Sequence, residues 1–451
     1  MTSGKRFDIQ RFIDDRPVGA LQWKVLALCL IVLALDGFDV VAMGFIAPAI
    51  VSDWSVPREA LAPVLCAGLF GLALGAITGG PLADRFGRRR VIVAAMFFFG
   101  SMSLVSAWAP DVFWLSVLRF LTGLGLGASQ PNAATLVSEY APERRRSLFV
   151  TVVYCGFTLG AAGGGFLSAG LIATYGWPSI LVLGGIVPIL GAAIYSFILP
   201  ESPRFLAVRH ERREQLASIV NRIAPSTADA TTEFVTPEVV HRHTTAIGTI
   251  FSTGYVLPTL MLWVGLFMNL LTVYLLNSWL PIMIHDAGFS LAAAATIGAL
   301  MQVGGTLGNI SIGYGMDRWG PHVTLVSVLL AAVTFAVLIW LAAGAGVTVL
   351  GILIFLLGFC TNSSNTGWTA LAALFYPTTA RATGTSVMTG VGRFGAISGA
   401  TVGGMLLSAQ FTFGQVFAFL AVPLGIAILA ALVNARCGIP RDELKSRNVI
   451  A

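Results

Sequence analysis

Twelve long apolar runs account for most of this 451-residue chain and restrict what it can fold into. Because a helix rises about 1.5 Å per residue, each run is long enough to cross about 30 Å of hydrocarbon. The composition, 56% hydrophobic and 11% charged, excludes a soluble class, so we expect an all-α integral membrane protein with twelve transmembrane helices. The runs fall near residues 22–50, 61–82, 91–108, 112–138, 147–174, 178–199, 253–284, 290–314, 322–343, 346–376, 382–407 and 411–435.

The basic residues predict how these helices are oriented. With the N-terminus inside, every lysine and arginine except Arg58, Arg119 and Arg393 falls in a cytoplasmic segment or at its edge, as the positive-inside rule requires. The net charge of +6 is then a topology signal, and no nucleic-acid partner is expected. The first twenty residues contain no apolar h-region and no cleavage site, so we expect the first helix itself to direct insertion.

The chain also contains an internal repeat. The pattern Gly-x-x-x-Asp-Arg-x-Gly follows both the second and the eighth run, at 80–87 and again 233 residues later at 313–320. Repeats of this size indicate a gene-duplicated transporter, and the long polar stretch after the sixth run marks the seam between its halves. The predicted domains are a cytoplasmic tail, a six-helix bundle, a cytoplasmic central loop, a second six-helix bundle and a cytoplasmic tail, at residues 1–21, 22–199, 200–252, 253–436 and 437–451.

Four ionisable residues lie deep inside the predicted spans. Asp36 and Asp39 lie about 16 Å and 21 Å from the inner end of the first span, and their i, i+3 spacing puts them on one face. Arg393 lies about 16 Å from the inner end of the eleventh span, and Arg119 about 10 Å from the outer end of the fourth. Arg393 is therefore level with Asp36, and Arg119 is within about a turn of Asp39. Because buried charges are costly unless they are paired or hydrated, these four are functional candidates, the alternative being a structural network that fixes helix packing.

Several motifs together resemble the major facilitator superfamily. The loop GGPLADRFGRRR is similar to the motif between its second and third helices, RFLTGLGLGASQPNAATLVSEYAPERRRS is similar to its fourth-helix motif, and PESPRF matches the usual end of its sixth helix. The stretch DGFD at 36–39, followed by GFIAP, resembles the first helix of the aromatic acid:proton symporters of that superfamily. The second copy of the loop departs from the pattern, since Pro321 and His322 stand where two arginines are usual.

The resemblance implies a symporter that imports an aromatic carboxylate, such as a hydroxybenzoate, protocatechuate or benzoate, with protons. It implies alternating access by two halves around a central cavity lined by the first and fourth helices, where Asp39 would pair with Arg119. Burial favours the neutral carboxyl and a nearby arginine the charged one, so either aspartate is open as the proton carrier. The expected proton-coupling residues are Asp36, Asp39, Arg119 and Glu139, with Glu139 alternatively a cap and gate residue. The expected cytoplasmic gate consists of Asp84, Arg85, Gly87, Arg88, Asp317 and Arg318.

A benzoate-like anion needs one cation for its carboxylate and flat apolar walls for its ring. Arg393 offers a planar fork that suits a carboxylate. The polar tract TNSSNTGWT in the tenth span must line a cavity or pair with other helices, and Asn362, Asn365 and Trp368 are expected to share a face there. Tryptophans near span ends are alternatively interface anchors. The substrate-binding candidates are Arg393, Asn269, Tyr274, Asn277, Trp279, Gln302, Asn362, Asn365 and Trp368.

Three other transport functions are alternatives to this one. The stretch RFLTGLGLG loosely suggests a drug:proton antiporter, and another organic anion such as a chlorophenoxyacetate or muconate is a further alternative. A sugar porter shares PESPRF, but the paired aspartates favour a charged substrate. The sequence has no HExxH, no Gly-x-Ser-x-Gly and no Cys/His constellation, so no enzyme, metal or cofactor is expected. The expected partners are a small aromatic acid anion, protons and the lipid of a bacterial inner membrane, with both termini cytoplasmic and the monomer as functional unit.

Overall fold

The computed structural model describes residues 6–207, 213–224, 227, 232–235, 250–252, 254–376 and 380–437. In these residues twelve helices are 19 to 35 residues long. They are α2 (Ala20–Trp54), α3 (Ala62–Phe86), α4 (Arg88–Ser106), α5 (Val112–Tyr140), α6 (Glu143–Tyr175), α7 (Pro178–Ile198), α10 (Val256–Asp286), α11 (Leu291–Trp319), α12 (Pro321–Leu341), α13 (Val347–Phe375), α14 (Arg381–Ser408) and α15 (Phe413–Cys437).

Every predicted apolar run coincides with one of these helices, and no end differs by more than five residues. The prediction of a twelve-helix membrane fold is therefore confirmed. Eleven of the twelve also have the length and hydropathy of a membrane span. The exception is α14, a helix whose hydropathy is lowered by Arg393 and by many glycines. We call the end of each helix that the sequence predicts to face the cytoplasm its inner end.

The internal repeat has a matching structural signature. Gly87 separates α3 from α4 and has a φ of 102°, and Gly320 separates α11 from α12 with a φ of 87°. Residues with a side chain rarely adopt this left-handed backbone, so the last glycine of each repeat is required for the sharp turn between two helices. The repeated pattern found in the sequence thus performs the same local task in both halves.

The tail and the central segment contain elements that the sequence analysis did not predict. The tail forms β1 (Arg6–Asp8) and α1 (Ile9–Asp14), and the central segment forms α8 (Pro203–Ala207), α9 (Arg213–Ile223) and β2 (Glu233–Val235). The strands β1 and β2 pair in parallel. Ile9, Phe12 and Ile13 of α1 are buried in the same apolar cluster as Leu216 and Val220 of α9. Hydrophobic burial therefore ties the tail to the central segment.

The chain divides into two compact units. The first unit consists of Met1–Val40, Phe70–Ala161 and Pro178–Val240, and the second of Val41–Leu69, Ala162–Trp177 and His241–Ala451. The division passes within α2, α3 and α6, so the predicted outer segments of these three helices belong to the second unit. The two six-helix bundles expected at 22–199 and 253–436 follow the internal sequence repeat and do not match these compact units, and they stay a prediction.

Glycines set the helix spacing within each unit. In the first unit, a Cβ on Gly156 or Gly160 of α6 would overlap the carbonyl oxygens of Leu30 and Ala34 on α2. In the second unit, a Cβ on Gly395 or Gly399 of α14 would overlap carbonyl oxygens on α10, those of Phe267 and Leu271. Small residues allow such backbone contact between membrane helices, so these helix pairs touch along their main chains. The 3-10 helix Arg58–Leu61 precedes α3 in the second unit.

Candidate functional site

A buried ion pair joins the first and fourth membrane helices of the first unit. Arg119 of α5 donates one short hydrogen bond to Oδ2 of Asp39 and a second, 3.4 Å long, to Oδ1. The two side chains are 3% and 1% exposed, so the pair lies outside bulk water. Depth arithmetic brought the two residues within about a turn of each other, the family resemblance implied that they pair, and the structure contains this pair.

Ser103 of α4 is a third member of this site. Its hydroxyl donates a hydrogen bond of 2.8 Å to Oδ1 of Asp39, and its side chain is fully buried. Gly184 of α7 faces the same carboxylate, since a Cβ there would lie 3.4 Å from the Ser103 hydroxyl and 3.6 Å from Asp39 Oδ1. Four helices therefore enclose the Asp39 carboxylate, and two of them supply hydrogen-bond donors to it. A buried charge is tolerated only when it is paired and hydrogen-bonded in this way.

Asp36 lies one turn inward of Asp39 on α2 and is also fully buried. Between them, Gly37 contacts α6 so closely that a Cβ there would overlap the carbonyl of Phe157. Gly37 therefore lets α2 and α6 touch along their main chains at this level. Two carboxyl groups thus lie at mid-span in one helix that is pressed against another.

In the second unit, the helix contacts define the depth of Arg393. Gly395 and Gly399 of α14 contact residues 267 and 271 of α10, so Arg393 is level with Gly265. The ring of Trp368 on α13 packs against Gly265, which brings an aromatic residue to that level. Asn269 lies about 6 Å further outward along α10. It donates to the carbonyl of Thr361 and accepts from the Ser364 hydroxyl, so the polar tract of α13 is bonded to α10 here.

Three substrate-binding candidates lie further outward than Arg393. Asn277 is about 18 Å beyond the level of Arg393, and Gln302 of α11 donates a 3.1 Å hydrogen bond to it. These two line a narrow crevice with Phe45 of α2. Trp279 is fully buried and packs on Gly403, and its ring N–H donates a hydrogen bond of 2.7 Å to the carbonyl of Ala400. A hydroxybenzoate is shorter than two helical turns, whereas these residues lie more than three turns beyond the level of Arg393, and the full set of substrate-binding candidates stays a prediction.

The prediction that Asn362, Asn365 and Trp368 share one face of α13 is wrong. Asn362 packs against Gly305 of α11, whereas the ring of Trp368 packs against Gly265 of α10. At about 100° per residue, six residues rotate a side chain 120° short of two full turns, so i and i+6 cannot point the same way. Asn365 lies between them and is partly buried. Tyr274 is buried on α10, between the levels of Asn269 and Asn277.

The gate candidates lie at inner helix ends. Arg88 pairs with Asp84 at 3.0 Å and with Glu139 at 3.5 Å, and the Ser202 hydroxyl donates a short hydrogen bond to Glu139. A Cβ on Gly87 would overlap the carboxylate of Glu201, the side chain that accepts the backbone N–H of Arg89 at 3.1 Å. Glu139 thus belongs to the acid–base cluster at this end, as its cap and gate alternative expected. The remaining member, Arg85, lies over the Phe86 ring with 5.2 Å to its centroid.

The second copy of the gate motif makes different contacts. Arg318 donates 2.8 Å to the hydroxyl of Tyr314, and Asp317 is exposed beside it. His322, which replaces a usual arginine, is 2.9 Å from Oδ1 of Asn434, and Asn434 donates 3.1 Å to the carbonyl of Pro258. Hydrogen bonds between α12, α15 and α10 therefore stand where the first copy has ion pairs.

Sequence reasoning missed Ser103, Glu201 and Ser202. Glu201 and Ser202 belong to PESPRF, a motif that was used only to mark the end of a helix, so a signal was present. Ser103 carried no signal, because a single serine in an apolar span is common and most such hydroxyls bond to their own helix. Ser106, one turn further along α4, does so with the carbonyl of Met102 at 2.7 Å.

The fold and its buried charges define a multi-pass membrane transporter. A family model described as the Major Facilitator Superfamily matches residues 29–354. The 4-hydroxybenzoate transporter PcaK of Pseudomonas putida is 48% identical over 434 residues, with 96% of each chain covered. The gallate transporter of the same species is 42% identical over 428 residues, with 95% of each covered. The chain belongs to the major facilitator superfamily, and within it to the family of aromatic acid transporters.

A solved structure agrees with this fold. The inward open xylose transporter XylE from E. coli matches with a TM-score of 0.70 at 17% identity, over 92% of this chain and 95% of that one. The benzoate transport protein of Acinetobacter baylyi is a more distant relative in sequence, 30% identical over 441 residues, with 96% of this chain and 94% of the relative covered. The protein is therefore a transporter and not an enzyme.

Proposed function

We propose that this protein imports a hydroxybenzoate anion together with protons, with Asp39 and Arg119 at the centre of the coupling. The observation that carries the proposal is the buried ion pair of these two residues in the middle of the membrane helices. Inside a membrane such a pair is expensive, and ionisable groups there commonly mark proton pathways. Protonation of Asp39 removes one charge of the pair and so changes the contact between α2 and α5.

The substrate class follows from Arg393 and from the relatives. Arg393 is a mid-span cation with Trp368 packed at its level, which suits a carboxylate on an aromatic ring. Identity is 48% to the 4-hydroxybenzoate transporter PcaK, 42% to the gallate transporter and 30% to the benzoate transport protein. We therefore rank 4-hydroxybenzoate first. The candidate contacts are Arg393, Asn269, Asn365 and Trp368, while Asn277, Gln302 and Trp279 pack helices further outward.

Proton coupling answers an energetic need of this substrate class. Bringing one anion in against an inside-negative potential costs about 2.3 kcal/mol per 100 mV, and accompanying protons cancel or reverse that cost. Two halves that alternate around a mid-membrane site would carry both. In this proposal the protein acts as a monomer in a bacterial inner membrane with both termini in the cytoplasm, as the distribution of basic residues supports. Asp84, Arg88, Glu139, Asp317 and Arg318 then lie on the cytoplasmic side.

The test is uptake of labelled 4-hydroxybenzoate into proteoliposomes with an imposed proton gradient, acid outside. We expect the wild type to accumulate the acid uphill, and a protonophore to abolish this. Asp39→Asn and Asp36→Asn should each lose uphill accumulation, because an amide carries no transferable proton. Exchange of labelled for unlabelled acid across the membrane needs no net proton movement and reports whether each variant is folded and binds substrate.

Three outcomes would contradict the proposal. Undiminished accumulation in both aspartate variants would remove the proposed coupling residues. Accumulation driven by an alkaline exterior would indicate an antiporter of the drug-exporting kind. Competition by muconate or a chlorophenoxyacetate, but not by hydroxybenzoates, would transfer the substrate assignment to another organic anion.

A further inference from the structure

The hydrogen bonds to Asp39 come from two chemically different donors. Arg119 carries only N–H donors and is always charged, so it binds the carboxylate but offers no acceptor to a protonated carboxyl. Ser103 carries a hydroxyl, which donates one hydrogen bond and accepts others. The 2.8 Å contact between the Ser103 hydroxyl and Oδ1 can therefore be a hydrogen bond in both protonation states of Asp39. The hydroxyl donates to the carboxylate and accepts from the protonated carboxyl.

In the charged state the Ser103 hydroxyl donates to Oδ1, as the structure shows. When a proton binds Oδ1, an O–H bond forms on the carboxyl, and this O–H donates to the Ser103 oxygen, whose own hydrogen rotates away. When the proton leaves to water on the inner side, the O–H bond breaks and the original direction returns. The contact with Arg119, by contrast, loses its charge–charge attraction at the first step.

We propose that Ser103 is a positioning residue that holds the Asp39 carboxyl in place in both protonation states, so that the Arg119 contact can break and re-form. This rests on the proposed proton coupling through Asp39. Ser103 is fully buried, and Gly184, which has no side chain, leaves room for its hydroxyl beside the Asp39 carboxylate. Ser103 touches neither substrate nor bulk water in this role, and it acts only through Asp39.

The experiment compares Ser103→Ala with Ser106→Ala in proteoliposomes that take up 4-hydroxybenzoate. Both serines are fully buried on α4 one turn apart, but the Ser106 hydroxyl bonds only to its own helix at Met102. A hydrogen bond to a charged group is strong enough that Ser103→Ala should lower proton-driven accumulation roughly tenfold or more, with exchange within about twofold of wild type. Ser106→Ala should match wild type in both assays, and Ser103→Thr, which keeps the hydroxyl, should recover accumulation.

Two results would overturn the inference. Accumulation by Ser103→Ala equal to that of Ser106→Ala would show that the hydroxyl is dispensable. Equal loss of accumulation and exchange, without recovery in Ser103→Thr, would assign Ser103 to packing. The Asp39→Asn variant separates the two proposals: if it fails to accumulate while Ser103→Ala succeeds, only this inference falls, and if it accumulates normally, the coupling proposal falls first.

Discussion

At the scale of single residues, the Asp39–Arg119 pair carries an asymmetric cost. Removing one partner leaves the other charge buried without its counterion, which costs about 3–5 kcal/mol, whereas replacing both with apolar residues is often close to neutral. We therefore expect Arg119→Leu to lower thermal stability in detergent more than the double variant Asp39→Leu/Arg119→Leu. The measurement is the unfolding temperature of purified protein. Equal or greater loss in the double variant would mean that the two residues do not stabilise one another.

The depth of a side chain along its span was predictable from the sequence, whereas the direction in which it points around the helix axis was not. The rise per residue fixes how far along a span a side chain lies, which was enough to bring Arg119 to within a turn of Asp39. The neighbouring helix that a side chain faces depends on how the helices are rotated against one another, and a single sequence does not contain that information. For that reason Ser103 was missed. The assignment of Asn362 and Trp368 to one face failed for a different reason, since six residues do not complete whole helical turns, and the two contact α11 and α10.

At the scale of elements, the contact between α2 and α6 depends on the absence of side chains. A Cβ on Gly160 would overlap the carbonyl of Ala34, whereas Gly163 on the same helix has nothing within 4 Å of such a Cβ. We expect Gly160→Ala to destabilise the protein by about 1–3 kcal/mol, because main chains must separate to admit the methyl group. Gly163→Ala is the matched control and should be tolerated. Thermal stability in detergent checks both, and similar values for the two would contradict the close contact.

The helices themselves were predictable because hydropathy and length determine a membrane span almost alone. The α14 helix shows the limit of hydropathy, since its glycines and Arg393 lower its hydropathy, although it was still recognised as one of the twelve apolar runs. The short helices of the polar segment were missed for two different reasons. α8 has only five residues, too few to show a period. α9 has apolar residues at helical spacing, Leu216, Ile219, Val220 and Ile223, so a signal was present there and was not used. Both helices bury side chains, such as Phe205 and Leu216, in one apolar cluster with α1.

At the scale of the whole molecule, the second unit contains the segments of α2, α3 and α6 that the sequence places on the outer side. A Cβ on Gly44 of α2 would overlap the carbonyl of Asn277, and the ring of Phe45 packs on Gly298 of α11. Contacts at this level leave little room for a substrate. In the proposed transport cycle these same contacts must break for the substrate to enter from outside.

The edge of this contact region offers a direct test of that cycle. Arg58, the first residue of the 3-10 helix, forms an ion pair with Asp286 at the end of α10, and each side chain is about a third exposed. Partly exposed pairs add little to stability, so the effect of breaking this one should be on opening. Cys66, about 12 Å further along the chain and 3.3 Å from the Thr401 hydroxyl, reports opening through its reactivity with a membrane-impermeant maleimide. We expect Arg58→Asp to speed labelling of Cys66 about two- to fivefold, in line with the small energy of such pairs.

The reciprocal swap makes the prediction specific. Asp286→Arg should speed labelling in the same way, and the double variant Arg58→Asp/Asp286→Arg should return it to the wild-type rate, because the opposite charges face each other again. Cys66→Ser provides the background, which comes from Cys437, exposed at the end of α15, because Cys29, Cys155 and Cys360 are buried. Reversing Arg11 and Asp15, an exposed pair in the tail with a 3.9 Å separation, should leave labelling unchanged. A double variant that labels as fast as the single ones would show that the charges do not act as a pair, and the ion pair would then have no part in closing this side of the transporter.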